Sequence, residues 1–225
     1  MNWTGLRGLV GVLVLTMLGS VAGCSSSRHS PTMAITESRS LRQAPPADLN
    51  LRSMIIPRGT AGRHVEFPMR PAYITIHSTQ NKGATADNHG QALLNGRLRA
   101  SSSHNRTGYL TWHFTVDDQE VVQSLPVNIQ GEHADHDGPG NRMSIGIEIC
   151  EFHDPARQAA AIARAARLAG WLRKRYGIPL SRVVPHYHWP QHHFEGHQKN
   201  CPAILLENGE PGEKWREFLR LVARS

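Results

Sequence analysis

Along residues 72–79, "AYITIHST", apolar and polar positions alternate: Ile74 and Ile76 face one way, Tyr73, Thr75 and His77 the other. A period of two predicts a half-buried strand that ends near a histidine. Residues 85–99 have an acidic start and place Leu94 and Leu98 at helical spacing, which predicts a helix. "TWHFTVDDQEVVQSLP" predicts a hairpin with Trp112, Phe114 and Val116 on one face, His113 on the other, and Asp117-Asp118-Gln119 in the turn. In "SIGIEIC", Ile145, Ile147 and Ile149 share one face of a strand, opposite Gly146, Glu148 and Cys150. A long helix follows, with Asp154 as N-cap, Pro155 at its first position and Gly177 past its end. Its apolar stripe is Ile162, Ala165, Leu168, Ala169, Leu172 and Tyr176. A last helix over residues 212–223 buries Trp215, Phe218, Leu219 and Val222. Strands interleaved with helices predict an α/β or α+β single domain around one sheet.

The N-terminal pattern differs. A single Arg7 precedes the apolar run Leu9–Leu15, too short to span a bilayer comfortably, and Val21-Ala22-Gly23-Cys24 follows. Residues 1–23 read as a signal peptide. Val-Ala-Gly-Cys resembles the lipobox of bacterial lipoproteins, which implies lipidation of Cys24; Ser25 after it favours the Gram-negative outer membrane, with the protein facing the periplasm. Residues 24–50, rich in Ser, Pro and Arg, read as a lipidated N-terminus and flexible tether. Residues 51–225 are then one domain with enough chain for a core.

The formal net charge is +7, and loss of residues 1–23 lowers it by one. A basic surface suits a polyanion. An exported chain argues against nucleic acid and leaves the carboxylates of peptidoglycan, or solubility alone. With Cys24 lipidated, Cys150 and Cys201 remain in an oxidising compartment, as a disulfide or as two thiols with separate purposes.

"HYHWPQHHFEGHQKNCP" holds five of the histidines, His186, His188, His192, His193 and His197, together with Lys199 and Cys201. Such a tract can be a scavenging loop, a surface accident or part of a catalytic site. Catalytic zinc asks for three protein ligands and one open position, and the strand histidine His77 is a good first ligand because a sheet fixes its direction.

The ordered segments "IHST", "WHFTVDD", "EHADHDG", "SIGIEIC", "VVPHYHW" and "KNCP" resemble the type 2 N-acetylmuramoyl-L-alanine amidases, zinc enzymes related to peptidoglycan recognition proteins. The resemblance covers about residues 70–205. It implies a central mixed sheet flanked by helices, Zn2+ held by His77, His186 and Cys201, and a catalytic pair Glu148 and Lys199. Two imidazoles and a thiolate suit zinc. Many relatives carry an aspartate in place of this cysteine. His113 and His133 lie in family-like segments and are candidate cleft residues, with a structural role as the alternative. The chain departs from the family in the insertion "PQHHFEGH" between Trp189 and Gln198. His197, four residues before Cys201, could rival His186 as a ligand; His188, His192 and His193 are read as loop or rim residues.

The expected activity is hydrolysis of the amide between N-acetylmuramic acid and L-alanine in peptidoglycan or muropeptides, in wall turnover or recycling. A monomer is expected. The rivals are a non-catalytic peptidoglycan-binding lipoprotein, a metal-scavenging lipoprotein and another amidohydrolase on the same scaffold.

Overall fold

The structure, a computed structural model, describes residues 44–100, 105–190 and 198–225. The expected signal peptide, Cys24, most of the tether, and His192, His193 and His197 lie outside the described residues. Among the described residues one mixed sheet holds β1 (Leu51–Ser53), β2 (Tyr73–Lys82), β3 (Phe114–Val116), β4 (Val121–Gln123), β5 (Ser144–Glu151) and β6 (Val183–Pro185). Their order is β1-β4-β3-β5-β2-β6. Only β3 and β4 pair antiparallel, as the hairpin, and Asp117 closes its turn by accepting the N–H groups of Gln119 and Glu120. The helices are α1 (Ala86–Leu94), α2 (Pro139–Met143), α3 (Pro155–Tyr176) and α4 (Glu213–Arg224).

The long helix α3 begins and ends where its sequence signals fall. Asp154 accepts from the Arg157 N–H, and Gly177 takes φ +66°, a conformation that costs glycine little. By contrast α1 stops at Leu94, not at Arg99. Gly96, at φ +61°, turns the chain out of the helix, and Leu98 reaches a small cluster with Ile56, Leu93, Trp112 and Leu125 from the loop beyond. Trp112 thus leaves the face of Phe114 and Val116, because the strand begins after it. At the other end of the domain, the reading that put residues 47–50 in a tether needs correcting. Ala47–Leu49 form a 3₁₀ turn, Leu49 is fully buried in the main core, and Arg164 and Arg167 of α3 hold Asp48.

The sheet has two unlike faces. Ile74 and Ile76, Phe114 and Val116, and Ile145, Ile147 and Ile149 form one apolar cluster with Ala165, Leu168 and Leu172 of α3 and Phe218 and Val222 of α4. Burial at roughly 25 cal/mol per Å² of apolar surface makes this the main source of stability. The opposite face carries Thr75, His77, His113, Thr115 and Ser144, and all five are buried as well. Loops cover them instead of water, so each needs an internal partner. Trp189 Nε1 donates to Thr75 Oγ1 at 2.9 Å, Thr75 and Ser144 join their hydroxyls, and Trp112 Nε1 donates to Thr115 Oγ1 at 2.7 Å.

Candidate active site

Sheet register assembles the first part of the site. His77 pairs with Glu148 across β2 and β5, which puts both side chains on the polar face. Ile76 pairs with Pro185 across β2 and β6, so the next residues, His77 and His186, come side by side. Cys201 arrives on a separate segment tied down at two points: Tyr187 N–H donates to the Cys201 carbonyl at 2.9 Å, and Ala203 N–H donates to Ser78 Oγ at 3.1 Å.

One ligand atom from each of His77, His186 and Cys201 lies within 4.8 Å of the others, and all three residues are buried. His186 Nδ1 is 2.9 Å from His77 Nδ1, and Cys201 Sγ is 3.8 Å from that same atom. The second nitrogen of His186 is 3.1 Å from the Ala134 carbonyl. A carbonyl only accepts, so His186 carries its proton on Nε2 and turns the Nδ1 lone pair toward His77 and Cys201. Burial pushes His77 well below the usual histidine range and His186 down to about 3, and Lys199 adds to both. These are neutral imidazoles, the form that binds metal. Burial also pushes the Cys201 thiol up to about 12; as a thiolate it needs a cation beside it. Two imidazole nitrogens and one sulfur, converging and shielded from water, fit a zinc ion.

Glu148 borders the triad, with Oε1 3.9 Å from His77 Nδ1. Burial pushes its carboxyl up to about 8 against the opposing charge of Lys199, and among the described residues Oε2 has no hydrogen-bond partner. A carboxyl poised near neutral pH can both take and give a proton. His77, Glu148, Lys199 and Cys201 line a cleft of about 290 Å³. Lys199 and His133 also line an adjoining hollow of about 210 Å³ with Arg99, Asn105 and His136.

The two cleft candidates separate. His133 lines the cleft; His113 does not, which corrects the expectation for it. The His113 ring is fully buried behind the site, its Nδ1 accepting from the Gly146 N–H at 2.9 Å and its Nε2 donating to the Ile129 carbonyl at 2.8 Å. Both nitrogens serve the backbone. Cys150 and Cys201 are free thiols, and Cys150 belongs to the apolar core. The sequence reading missed Asn141 and Ala134, which hold the loop over the site. Asn141 Oδ1 accepts the N–H groups of His133 and Ala134. Ala134 lies inside the segment "EHADHDG", whereas Asn141 lies beyond its end and had no signal in the chain.

Burial holds His113 down to about 4, and this sets an acid limit on stability. Above pH 6.5 the ring is neutral in both folded and unfolded chains. As pH falls below 6.5 the unfolded chain takes up a proton that the folded one refuses. The expected loss is about 1.4 kcal/mol per unit, reaching about 3 kcal/mol near pH 4. Urea unfolding of the metal-free protein at pH 7 and pH 5 checks it: His113→Asn should lose less stability than wild type over that interval. Equal losses would assign the acid sensitivity elsewhere.

Comparison with known proteins places this arrangement. The fold is shared with the catalytic domain of XlyA, at a TM-score of 0.61 and 39% identity over 77% of this chain and 99% of that one. PlyL shares it at a TM-score of 0.61 and 26% identity, over 76% of this chain and 96% of that one. The class is therefore that of the amidase-type α/β domains. The chain belongs to the N-acetylmuramoyl-L-alanine amidase family (Amidase_2), whose model matches residues 67–204. It is 40% identical over 163 residues to the N-acetylmuramoyl-L-alanine amidase CwlH and 41% identical over 162 residues to XlyA, both of Bacillus subtilis (strain 168). Each match covers 71% of this chain but only 56% and 48% of those proteins, so the chain spans about half their length.

Proposed function

We propose that this protein hydrolyses the amide bond between N-acetylmuramic acid and L-alanine in peptidoglycan or its muropeptide fragments. One observation carries the reading: His77, His186 and Cys201 converge beside Glu148 in a cleft that Lys199 also lines. Those three donors would hold a zinc ion, which when bound supplies a Lewis acid and lowers the pKa of water. The remaining work falls to side chains. Glu148, as carboxylate, removes a proton from the attacking water and delivers it to the nitrogen of the leaving L-alanine. Lys199 places positive charge where the carbonyl oxygen becomes negative, and loss of such a group costs on the order of 10²–10³ in rate. The buried polar face and its covering loops keep the neighbourhood poor in water, which strengthens both effects.

The test is direct. The full chain, loaded with zinc, is incubated with a defined muramoyl-peptide, and the products are weighed by mass spectrometry. Release of free stem peptide with intact muramic acid is expected, with Lys199→Ala slowed on the scale given. Folded, zinc-loaded protein that leaves wall and fragment substrates uncut would mark a binding protein instead.

A lipid anchor at Cys24, after removal of residues 1–23, would hold the domain at the outer membrane facing the wall, in a role of turnover or recycling. The support is the Val21-Ala22-Gly23-Cys24 segment behind an apolar run. Metabolic labelling with a fatty-acid analogue should mark wild type and not Cys24→Ser; equal labelling would exclude this anchor.

A further inference from the structure

His133 is not one of the three converging donors, yet it lies against the nitrogen of His77 that faces away from them. His133 Nδ1 lies 3.0 Å from His77 Nε2, and His133 Nε2 lies 3.4 Å from the Ser144 carbonyl. The carbonyl accepts only, so His133 is directed to carry its proton on Nε2 and a lone pair on Nδ1. His77 then donates from Nε2, and its Nδ1 lone pair is left facing His186 and Cys201. The competing tautomer puts the His77 proton on Nδ1, donating to His186 Nδ1 2.9 Å away. That tautomer would block one of the three donor atoms with a proton.

The ring that makes this choice sits in a built cradle. An added Cβ at Gly146 would lie 2.9 Å from three atoms of the His133 ring, and one at Gly131 would lie 2.7 Å from its Cδ2. The ring meets His77 edge to face, with centroids 5.1 Å apart. Its backbone N–H is pinned by Asn141 Oδ1 at 2.9 Å, the same atom that takes the Ala134 N–H at 2.7 Å. Ala134 in turn supplies the carbonyl that orients His186. Thus the one loop around His133 and Ala134 faces the outer nitrogens of both histidines.

We infer that His133 is a positioning residue: seated on Gly131 and Gly146, it holds His77 in the Nε2–H tautomer and so prepares the triad for its metal. Hydrogen bonds to the outer nitrogen of a ligating histidine commonly come from carbonyls or carboxylates, and their loss weakens metal affinity about 10–100-fold. Here an imidazole takes that place. It also explains the glycine in the middle of β5, where an aliphatic residue would otherwise strengthen the strand.

The inference rests on the metal-binding reading of the triad, and its test separates the two. Imidazole ¹⁵N shifts are recorded on the metal-free full chain, and zinc affinity is measured by chelator competition. Wild type should show His77 protonated on Nε2. His133→Phe, of similar shape without an acceptor, should shift His77 toward the Nδ1–H form and bind zinc about 10–100-fold more weakly. His133→Gln, which restores an acceptor oxygen, should recover most of both. Gly146→Ala, which removes no donor, should weaken zinc by displacing the ring. A thermal melt of each metal-free variant reports folding separately. Wild-type His77 protonated on Nδ1, or a folded His133→Phe that binds zinc as wild type does, would overturn the inference. Wild type that binds no zinc would sink the metal reading, while the ¹⁵N shifts would still decide the role of His133.

Discussion

Glu148→Gln is expected to lower kcat by about 10²–10⁴-fold while raising the stability of the metal-free protein. The two effects have one cause. In the fold, burial holds the Glu148 carboxyl up to about 8, whereas an unfolded chain has it near the ordinary 4.5. The sign follows directly: above pH 4.5 the unfolded chain releases a proton that the folded one keeps, so stability declines with rising pH until about pH 8. At pH 7 the cost is up to about 3 kcal/mol. Glutamine fills the same space, carries no charge and removes that cost. It also cannot take a proton from water or pass one to a leaving amine. Initial rates on a muramoyl-peptide, zinc content and thermal melts together form the check. A kcat within about ten-fold of wild type would remove Glu148 from the chemistry. A fall in stability would mean that the carboxylate has partners in the protein.

Cys201→Ala is expected to abolish hydrolysis by removing the metal and not by unfolding the chain. It leaves two imidazoles, and the loss in zinc affinity should exceed the 10–100-fold typical of an outer partner, reaching on the order of 10³-fold or more. Cys201→Asp supplies an oxygen donor and should recover binding and activity in part. The melts give a second reading. A ligand present at about a thousand times its Kd stabilises the native state by about 4 kcal/mol; chelator should therefore lower the melting point of wild type strongly and of Cys201→Ala hardly at all. Full activity in a zinc-free Cys201→Ala protein would refute the assignment of the triad. Unlike the thiol at Cys201, Cys150 lies in the apolar core and has no part in either result.

Much of the framework was readable locally. The alternation around Ile74–Ile76 and Ile145–Ile149, and the Asp154 and Gly177 signals of α3, depend on residues two to four apart, so near neighbours encode them. The same alternation put His77 and Glu148 on the faces opposite their isoleucines. The end of α1 was misread because Leu98 continues a helical period, although Gly96 breaks the backbone before it. The burial of the polar face was not legible at all. Alternation sets Thr75 opposite Ile74 and Ile76, but what covers that face comes from far along the chain: Trp189, which donates to Thr75 Oγ1, is 114 residues away.

The sequence by itself, through local periodicity and capping signals, determined β2, the β3–β4 hairpin, β5, the long capped helix and the residue types able to hold a metal, but not the three-residue strands β1 and β6. Which of those residues meet was decided by the tertiary structure. His77 and His186 are 109 residues apart and His77 and Cys201 are 124 apart; a three-residue edge strand in one register, Ile76 against Pro185, brings the first pair together. His113 and His133 looked alike in the chain, and only the hydrogen bonds of their rings assign one to the backbone and the other to the site. The reason is physical: side-chain periodicity is a property of the local chain, while the direction of a lone pair depends on partners that folding alone brings within 3 Å.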